Sequence, residues 1–264
     1  MRFTLICLFL FLIPNIVFGV NLNVPFTSQA PEGNWRQPWQ DTCEEASIVM
    51  VDNFYQKNIN KKIEVNQAKK EILQILKIKE IKWGKSLDEN AEQVVKLINN
   101  YLPWEAKLIE NPSLDQIKNE IDNNQPVIIP VYGKTLKNKN FKNGGPIYHM
   151  LVISGFDNET QEFITEEPGT RNGLDFRYSF ATIMSALHDY LPYGKTAFGP
   201  KIAIFTSKEI NGSGKLDADN DGLTKEQEFN YGSITWLNDS DGDGYADGFE
   251  VLNGYSPTKK LEKL

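Results

Sequence analysis

The 264 residues carry 28 Lys and Arg against 35 Asp and Glu, a net charge of −7, and a general nucleic-acid binder would need a basic face instead. With 40% hydrophobic and 11% aromatic residues there is enough apolar material for a core, so wholesale disorder is excluded. Two cysteines exclude a disulfide scaffold or a Cys-rich zinc site, and two histidines leave few ways to build a histidine-dependent active site.

Arg2 precedes an apolar run from Leu5 to Leu12, a helix-breaking Pro14 and the small Gly19, the pattern of a signal peptide over residues 1–19. The run is short for a membrane span and no second hydrophobic segment follows. The expected product is therefore secreted or held at the cell surface, with no stable membrane span once the signal is removed. Cys7 leaves with the signal, so Cys43 remains as one unpaired thiol that either dimerises the chain or is reactive.

Residues 20–207 read as one mixed domain of α+β class. Helix signals dominate its first half. Thr42 with Glu45, Ser86 with Glu89 and Ser113 with Gln116 have the spacing of capping boxes, each opening a segment of helical period. After the first of these, Ala46, Val49, Met50 and Phe54 fall on one face and are expected in the core. The second half predicts strands over 126–132, 148–156, 161–166 and 201–206, interrupted by one helix over 179–190. Residues 208–216, with Asn211-Gly212-Ser213-Gly214, read as a linker between independent domains.

Beyond the linker, residues 217–256 contain two copies of D-x-D-x-D-G-x-x-x-x-x-E at an offset of 22 residues. The first offers Asp217, Asp219, Asp221 and Glu228, and the second Asp239, Asp241, Asp243 and Glu250. Alternate carboxylates converge on one point, glycine allows the sharp turn, and the main-chain carbonyls of Leu223 and Tyr245 would complete the shells. That donor set predicts Ca2+. A solvated acidic tail would not repeat the motif at fixed spacing. About ten residues separate the loops, too few for the paired helices of an ordinary EF-hand. The pattern resembles thrombospondin type 3-like or dockerin-like repeats, which implies a calcium-stabilised spacer or adhesive element.

Thr42 as N-cap puts Cys43 at the first position of a helix, where the helix dipole favours a thiolate and free amides favour an oxyanion. The thiol needs a base. His188 falls near the end of the late helix, a position that suits a structural role. His149 opens an otherwise apolar strand after Gly144-Gly145-Pro146 and is the better candidate. If the hairpin that follows turns about Asn158, His149 lies opposite Glu167; moving the register by one residue puts Glu166 on that face instead.

The stretches NVPFTSQAP from Asn23, TCEEAS from Thr42, YHMLVISGF from Tyr148 and EPGTR from Glu167 together resemble a peptidase family. It is the papain-like branch related to bacteriocin-processing (double-glycine) cysteine peptidases, the family thirty-nine-like exported proteins of bacteria. The resemblance covers residues 21–207. It implies a helix bearing the nucleophile Cys43, packed on an antiparallel sheet bearing His149 as general base and acid. The family's oxyanion glutamine maps onto Gln29, with Gln37 and Gln40 as alternatives, and no cofactor serves the chemistry. Glu44 stands where the family usually has glycine, and Glu167 where it usually has aspartate.

The expected function is an exported peptidase acting on a peptide or protein through Cys43, His149 and Glu167, associated with the cell envelope or released. A cell-wall amidase or acyl transferase using the same dyad is one rival. A catalytically inactive, calcium-dependent adhesion module is another. Trp35, Trp39 and the lysine-rich loop over 134–142 lie near enough in sequence to flank the cleft, although packing explains the tryptophans at least as well and a solvated loop explains the lysines better.

Overall fold

The structure is a computed structural model and describes residues 18–84, 88–208, 217–235 and 237–264. The signal-peptide expectation over residues 1–17 and most of the linker, 209–216, lie outside the described residues. The chain enters as a short strand β1 (Gly19–Asn21) and then gives three helices, α1 (Cys43–Tyr55), α2 (Val65–Trp83) and α3 (Ala91–Tyr101). Strand β2 (Glu105–Glu110), helix α4 (Leu114–Asp122) and strands β3 (Val127–Val131), β4 (His149–Asp157), β5 (Glu162–Glu166) and β6 (Phe176–Ser179) follow. Helix α5 (Phe180–Ala186) and strand β7 (Ile202–Ser207) close the body, and the tail adds α6 (Lys225–Tyr231) and α7 (Asp247–Leu252).

The strands form one antiparallel sheet in the order β2-β7-β3-β4-β5-β6, and β1 pairs with the far end of β4. All five residues of β3 and the first eight of β4 are buried, which fits their near-continuous apolar sequence: these are the central strands. Helix α1 lies across β4. Ala46, Val49 and Met50 are buried and Phe54 is half-buried against the core. Glu44, Glu45, Ser47 and Asn53 are buried as well, so α1 is enclosed on all sides and has no solvent face.

Several local expectations change in the folded chain. Helix α1 starts at Cys43, but no capping box opens it. Thr42 Oγ1 donates to the carbonyls of Gln29 (3.0 Å) and Trp39 (3.3 Å), and Glu45 is drawn to Lys79. Ser86 is outside the described residues, and the capping box nearby belongs to Asn90 and Gln93. Ser113 and Gln116 form the box their spacing predicts. The late helix ends at Ala186 instead of residue 190, because Leu187 bridges to Val131 and the His188 N–H donates to the Pro130 carbonyl. Pairing to β3 there overrides helix propensity.

The β4–β5 register also differs from a turn centred on Asn158. Val152 faces Glu166 and Ile153 faces Thr165, and an irregularity between Ile153 and Gly155 shifts the pairing by one residue towards the turn. On the site side of that irregularity the shift is two residues, an even number. Glu167 therefore keeps the His149 face, as a diagonal neighbour instead of a direct one, and Glu166 takes the opposite face.

The tail does not stand apart from the body. The Lys225 ammonium is buried and donates to the carbonyls of Asn99 (2.6 Å) and Leu102 (3.4 Å), and Thr235 Oγ1 donates to the Tyr101 carbonyl (2.5 Å). Those carbonyls lie at the C-terminal end of α3, where helix acceptors lack intrahelical partners and a cation is favoured. The expected independence of the two regions gives way to a docked arrangement.

Candidate active site and acidic loops

Cys43, His149 and Gln29 line one cavity of about 420 Å³, together with Trp35, Gln40, Asp88 and the 140–142 and 169–172 loops. Helix α1 brings the cysteine, the start of β4 brings the histidine, and the chain before α1 brings the glutamine. The lysine-rich loop contributes Asn140, Phe141 and Lys142 to the wall. Trp39 is buried in the core and does not line the cavity.

His149 is 2% exposed and its orientation is fixed through one nitrogen. Nε2 lies 2.5 Å from Glu167 Oε1, and the Phe141 ring meets the imidazole edge-on at 5.5 Å. Glu167 is itself fully enclosed and fully partnered. Oε1 also accepts the Gly169 N–H (2.9 Å), and Oε2 accepts the Tyr178 hydroxyl (2.9 Å), which in turn accepts from Asn138 Nδ2 (2.7 Å). A Cβ on Gly169 would come within 3.0 Å of both Glu167 Oε1 and His149 Cε1, so the glycine is needed for close approach. With Nε2 engaged, Nδ1 is the ring nitrogen left for the thiol. Tyr178 and Asn138 were missed by sequence reasoning, since β6 is a four-residue strand with no strong pattern. Glu166 accepts from Ser154 Oγ (3.0 Å) away from the imidazole, and burial pushes its carboxyl up to about 8.

The electrostatics around Cys43 reverse an expectation. The thiol is 4% exposed and donates to Glu44 Oε2 (3.2 Å), while Glu44 Oε1 accepts the Glu89 N–H (3.0 Å). Burial first, then the Glu44, Asp88 and Glu45 carboxylates, hold the thiol well above its usual range. A helix N-terminus alone would lower it; here desolvation and like charge win. Glu44 and Glu45 are also pushed up, chiefly by burial, and Lys79 of α2 pairs with both Glu45 and Glu89. One buried lysine thus pairs with two carboxylates beneath Cys43, and its charge also acts on Glu44.

Gln29 reaches the cavity, but its Nε2 donates to the carbonyls of Trp39 (3.0 Å) and Gln40 (2.8 Å), leaving Oε1 without a partner. Gln40 also lines the cavity, whereas Gln37 does not and donates to Asp41. His188 stands clear of the site, with Nδ1 2.8 Å from the Gly199 carbonyl.

In the tail the two loops fold alike. Asp217 accepts the N–H groups of Asp221 (3.2 Å) and Gly222 (3.0 Å), and Asp239 accepts those of Asp243 (3.2 Å) and Gly244 (2.9 Å). Gly222 and Gly244 both adopt φ +101°, the left-handed turn the motif needs. Carboxylate oxygens of Asp217, Asp219 and Asp221 lie within 4.8 Å of one another, as do those of Asp239, Asp241 and Asp243. Glu228 and Glu250 are buried beside them. Leu223 is buried with its N–H on Asp221, and Tyr245 is exposed with its ring stacked on Phe249 at 5.8 Å.

The loops are short of partners. Both oxygens of Asp219 and of Glu228, one of Asp241 and one of Glu250 are buried with no hydrogen bond among the described residues. Burial and the surrounding aspartates push Asp219 up to about 6, Glu250 to about 7 and Glu228 to about 9. An all-oxygen donor set with orphaned buried carboxylates fits a hard divalent cation. Among the described residues no helix is long and apolar enough to cross a membrane.

Comparison with known proteins bears on the body of the chain. The sequence model of the Peptidase_C39 like family matches residues 21–198, a span that contains Cys43, His149 and Glu167 and ends before the acidic loops. Among solved structures, a chain from Bacillus anthracis described as a candidate C39-like peptidase aligns with a TM-score of 0.49 at 18% identity, covering 72% of this chain and 98% of that one. No curated protein matches.

Proposed function

The chain belongs to the C39-like peptidase family, and from that premise we propose that it is an exported cysteine peptidase whose calcium-binding tail is docked on the catalytic body. One observation carries the catalytic reading: Cys43 and His149 line the same cavity, and the imidazole is fixed by a buried carboxylate that Gly169 and Tyr178 hold in place. At rest the sulfur is a neutral thiol. A peptide entering the cleft brings a carbonyl carbon to it. His149 takes the thiol proton through Nδ1 as the C–S bond forms, and Glu167 stabilises the imidazolium from the other side. As the first helical residue, Cys43 has a backbone N–H with no intrahelical acceptor, and that group can donate to the oxyanion. Gln29 adds a second donor if its amide releases one of its two carbonyls. His149 then protonates the leaving amine, and water, activated by the same imidazole, hydrolyses the thioester.

The tail reading rests on the orphaned carboxylates. Asp217, Asp219, Asp221 and Glu228 would hold one Ca2+, and Asp239, Asp241, Asp243 and Glu250 another. The ions would supply no chemistry to the cleft. They would cross-link a segment that lacks a hydrophobic core of its own. Extracellular calcium suits such sites, in keeping with a secreted or envelope-held protein.

The test is digestion of a peptide library by the mature protein beside Cys43→Ala. Cleavage by the first and none by the second is expected. The same products from both, or none from either, would overturn the peptidase reading. A specific observation favours a second reading, a non-catalytic recognition module: the resting thiol is turned to Glu44 and held protonated. That reading predicts no cleavage and an alkylation rate that His149→Ala leaves unchanged.

A further inference from the structure

We propose that the two acidic loops share a cation site, in which Asp247 of the second loop joins Asp221 and Glu228 of the first in holding the first loop's ion. The inference rests on the calcium reading of the tail. The motif alone would give each loop its own ligands, and Asp247, at the ninth position of the second loop, would ordinarily serve that loop's own ion, often through water. In the folded chain its carboxylate lies with those of Asp221 and Glu228, all three within 4.8 Å of one another. The start of α7 is tied to the first loop as well, since the Gly248 N–H donates to Asp221 Oδ2 (3.2 Å).

The independent mark of a missing ligand is Glu228. It is 0% exposed, and neither of its oxygens has a hydrogen-bond partner among the described residues. A buried carboxylate without a partner is costly, and two further carboxylates beside it raise the cost. The lysine of the same loop, Lys225, is directed to the carbonyls of Asn99 and Leu102. Asp247 accepts the N–H (2.7 Å) and hydroxyl (2.5 Å) of Ser240, which fixes the carboxylate without neutralising it. Three hard oxygen donors converging from two loops fit a calcium ion, and the ion held there would fasten the second loop to the first.

The experiment is calorimetric titration of calcium chloride into the full-length mature protein after chelator treatment. The native chain is expected to take two ions. Replacing the second loop's own ligands (Asp239→Asn, Asp241→Asn, Asp243→Asn) should leave one ion, bound at the first loop. In that background Asp247→Asn is expected to weaken the remaining site by about tenfold or more. Ser240→Ala, which removes the hydroxyl bond but keeps the carboxylate and its bond from the Ser240 N–H, should weaken it less than Asp247→Asn does. An unaltered affinity in Asp247→Asn, or an equal loss in Ser240→Ala, overturns the shared site and leaves the calcium reading standing. If the triple variant binds no ion, Asp247→Asn is read in the native chain. Weakening of the step that Glu228→Gln also weakens then supports sharing, and an effect confined to the other step, or none, overturns it. A native chain that binds no calcium removes the calcium reading and this inference together.

Discussion

Two buried glutamates show how differently the halves of this chain treat charge. Glu167 in the cleft meets an imidazole, a tyrosine hydroxyl and a backbone N–H. Glu228 in the tail is just as enclosed and meets no hydrogen-bond donor. Around Glu167 the body has solved its electrostatics within the chain, through side chains brought together from β4, the 167–173 loop and β6. The tail has carboxylates in excess of its donors, and the balance has to come from outside. On the proposed reading the same residue type would be a positioning device in one place and a ligand in the other, and what distinguishes them is the count of partners.

The sharpest way to break the comparison is at the nucleophile. Cys43→Ala is expected to lower peptide cleavage by about a thousandfold or more, because no other described residue of the cavity is a thiol. Retained activity would mean that the paired architecture around His149 serves some other purpose. Next in size is Glu167→Gln, expected to lower kcat by about a hundredfold with little change in KM. The amide can still bond the imidazole but does not stabilise its charged form. Tyr178→Phe removes one donor to Glu167 and should cost far less, about threefold. Equal effects of the two would show that the network acts as packing and not through the carboxylate's charge.

Chelation addresses the other side. Removing calcium is expected to speed proteolytic cleavage of residues 217–264 by about tenfold, measured by limited digestion with mass mapping. Because Lys225 and Thr235 hang on the end of α3, the loss should stop at the docking contact and leave the sheet intact. Identical digestion with and without chelator would remove the ion from the account of the tail.

The sequence made some of this legible and hid the rest for physical reasons. The central strands could be read because β3 and β4 are apolar almost throughout, and burial on both faces leaves few other solutions. The pairing of His149 with Glu167 could be anticipated from face alternation, although the register assumed for it was wrong by two residues. An even slip preserves the face, so the contact survived an error that an odd slip would have turned into Glu166. Hidden were the features made by distant groups. Tyr178 meets Glu167 from a short strand, and Asn138 meets Tyr178 from a loop. Lys79 comes from a helix that carries no local sign of its role. Asp247 joins the first loop across 19 residues of chain from Glu228. The elevated thiol belongs to the same class, since it depends on burial and on carboxylates gathered from α1 and the loop before α3.

The smallest effect bears on whether the cleft is as well balanced as Glu167 suggests. Beneath Cys43, Glu45 and Glu89 share Lys79, whose charge also acts on Glu44, so here the body resembles the tail more than it resembles the fully partnered Glu167. Burial, and after it Glu44, raises the thiol. Glu44→Gln removes that negative charge while retaining an acceptor for the sulfhydryl. The thiol pKa should fall, and the pH profile of Cys43 alkylation by iodoacetamide should move to lower pH, with rates several-fold faster where the native thiol is still protonated. The sign follows from the charge: an anion beside the sulfur opposes thiolate formation. Glu44 itself holds its proton beyond the usual carboxylate range, so the two proteins should converge at low pH, where native Glu44 is neutral, and separate as it ionises. A profile that does not move would assign the whole elevation to burial, and Glu44 would then be a hydrogen-bond acceptor without electrostatic consequence. A profile that moves up would mean that the amide holds the proton on sulfur more firmly than the carboxylate, which the charge argument forbids.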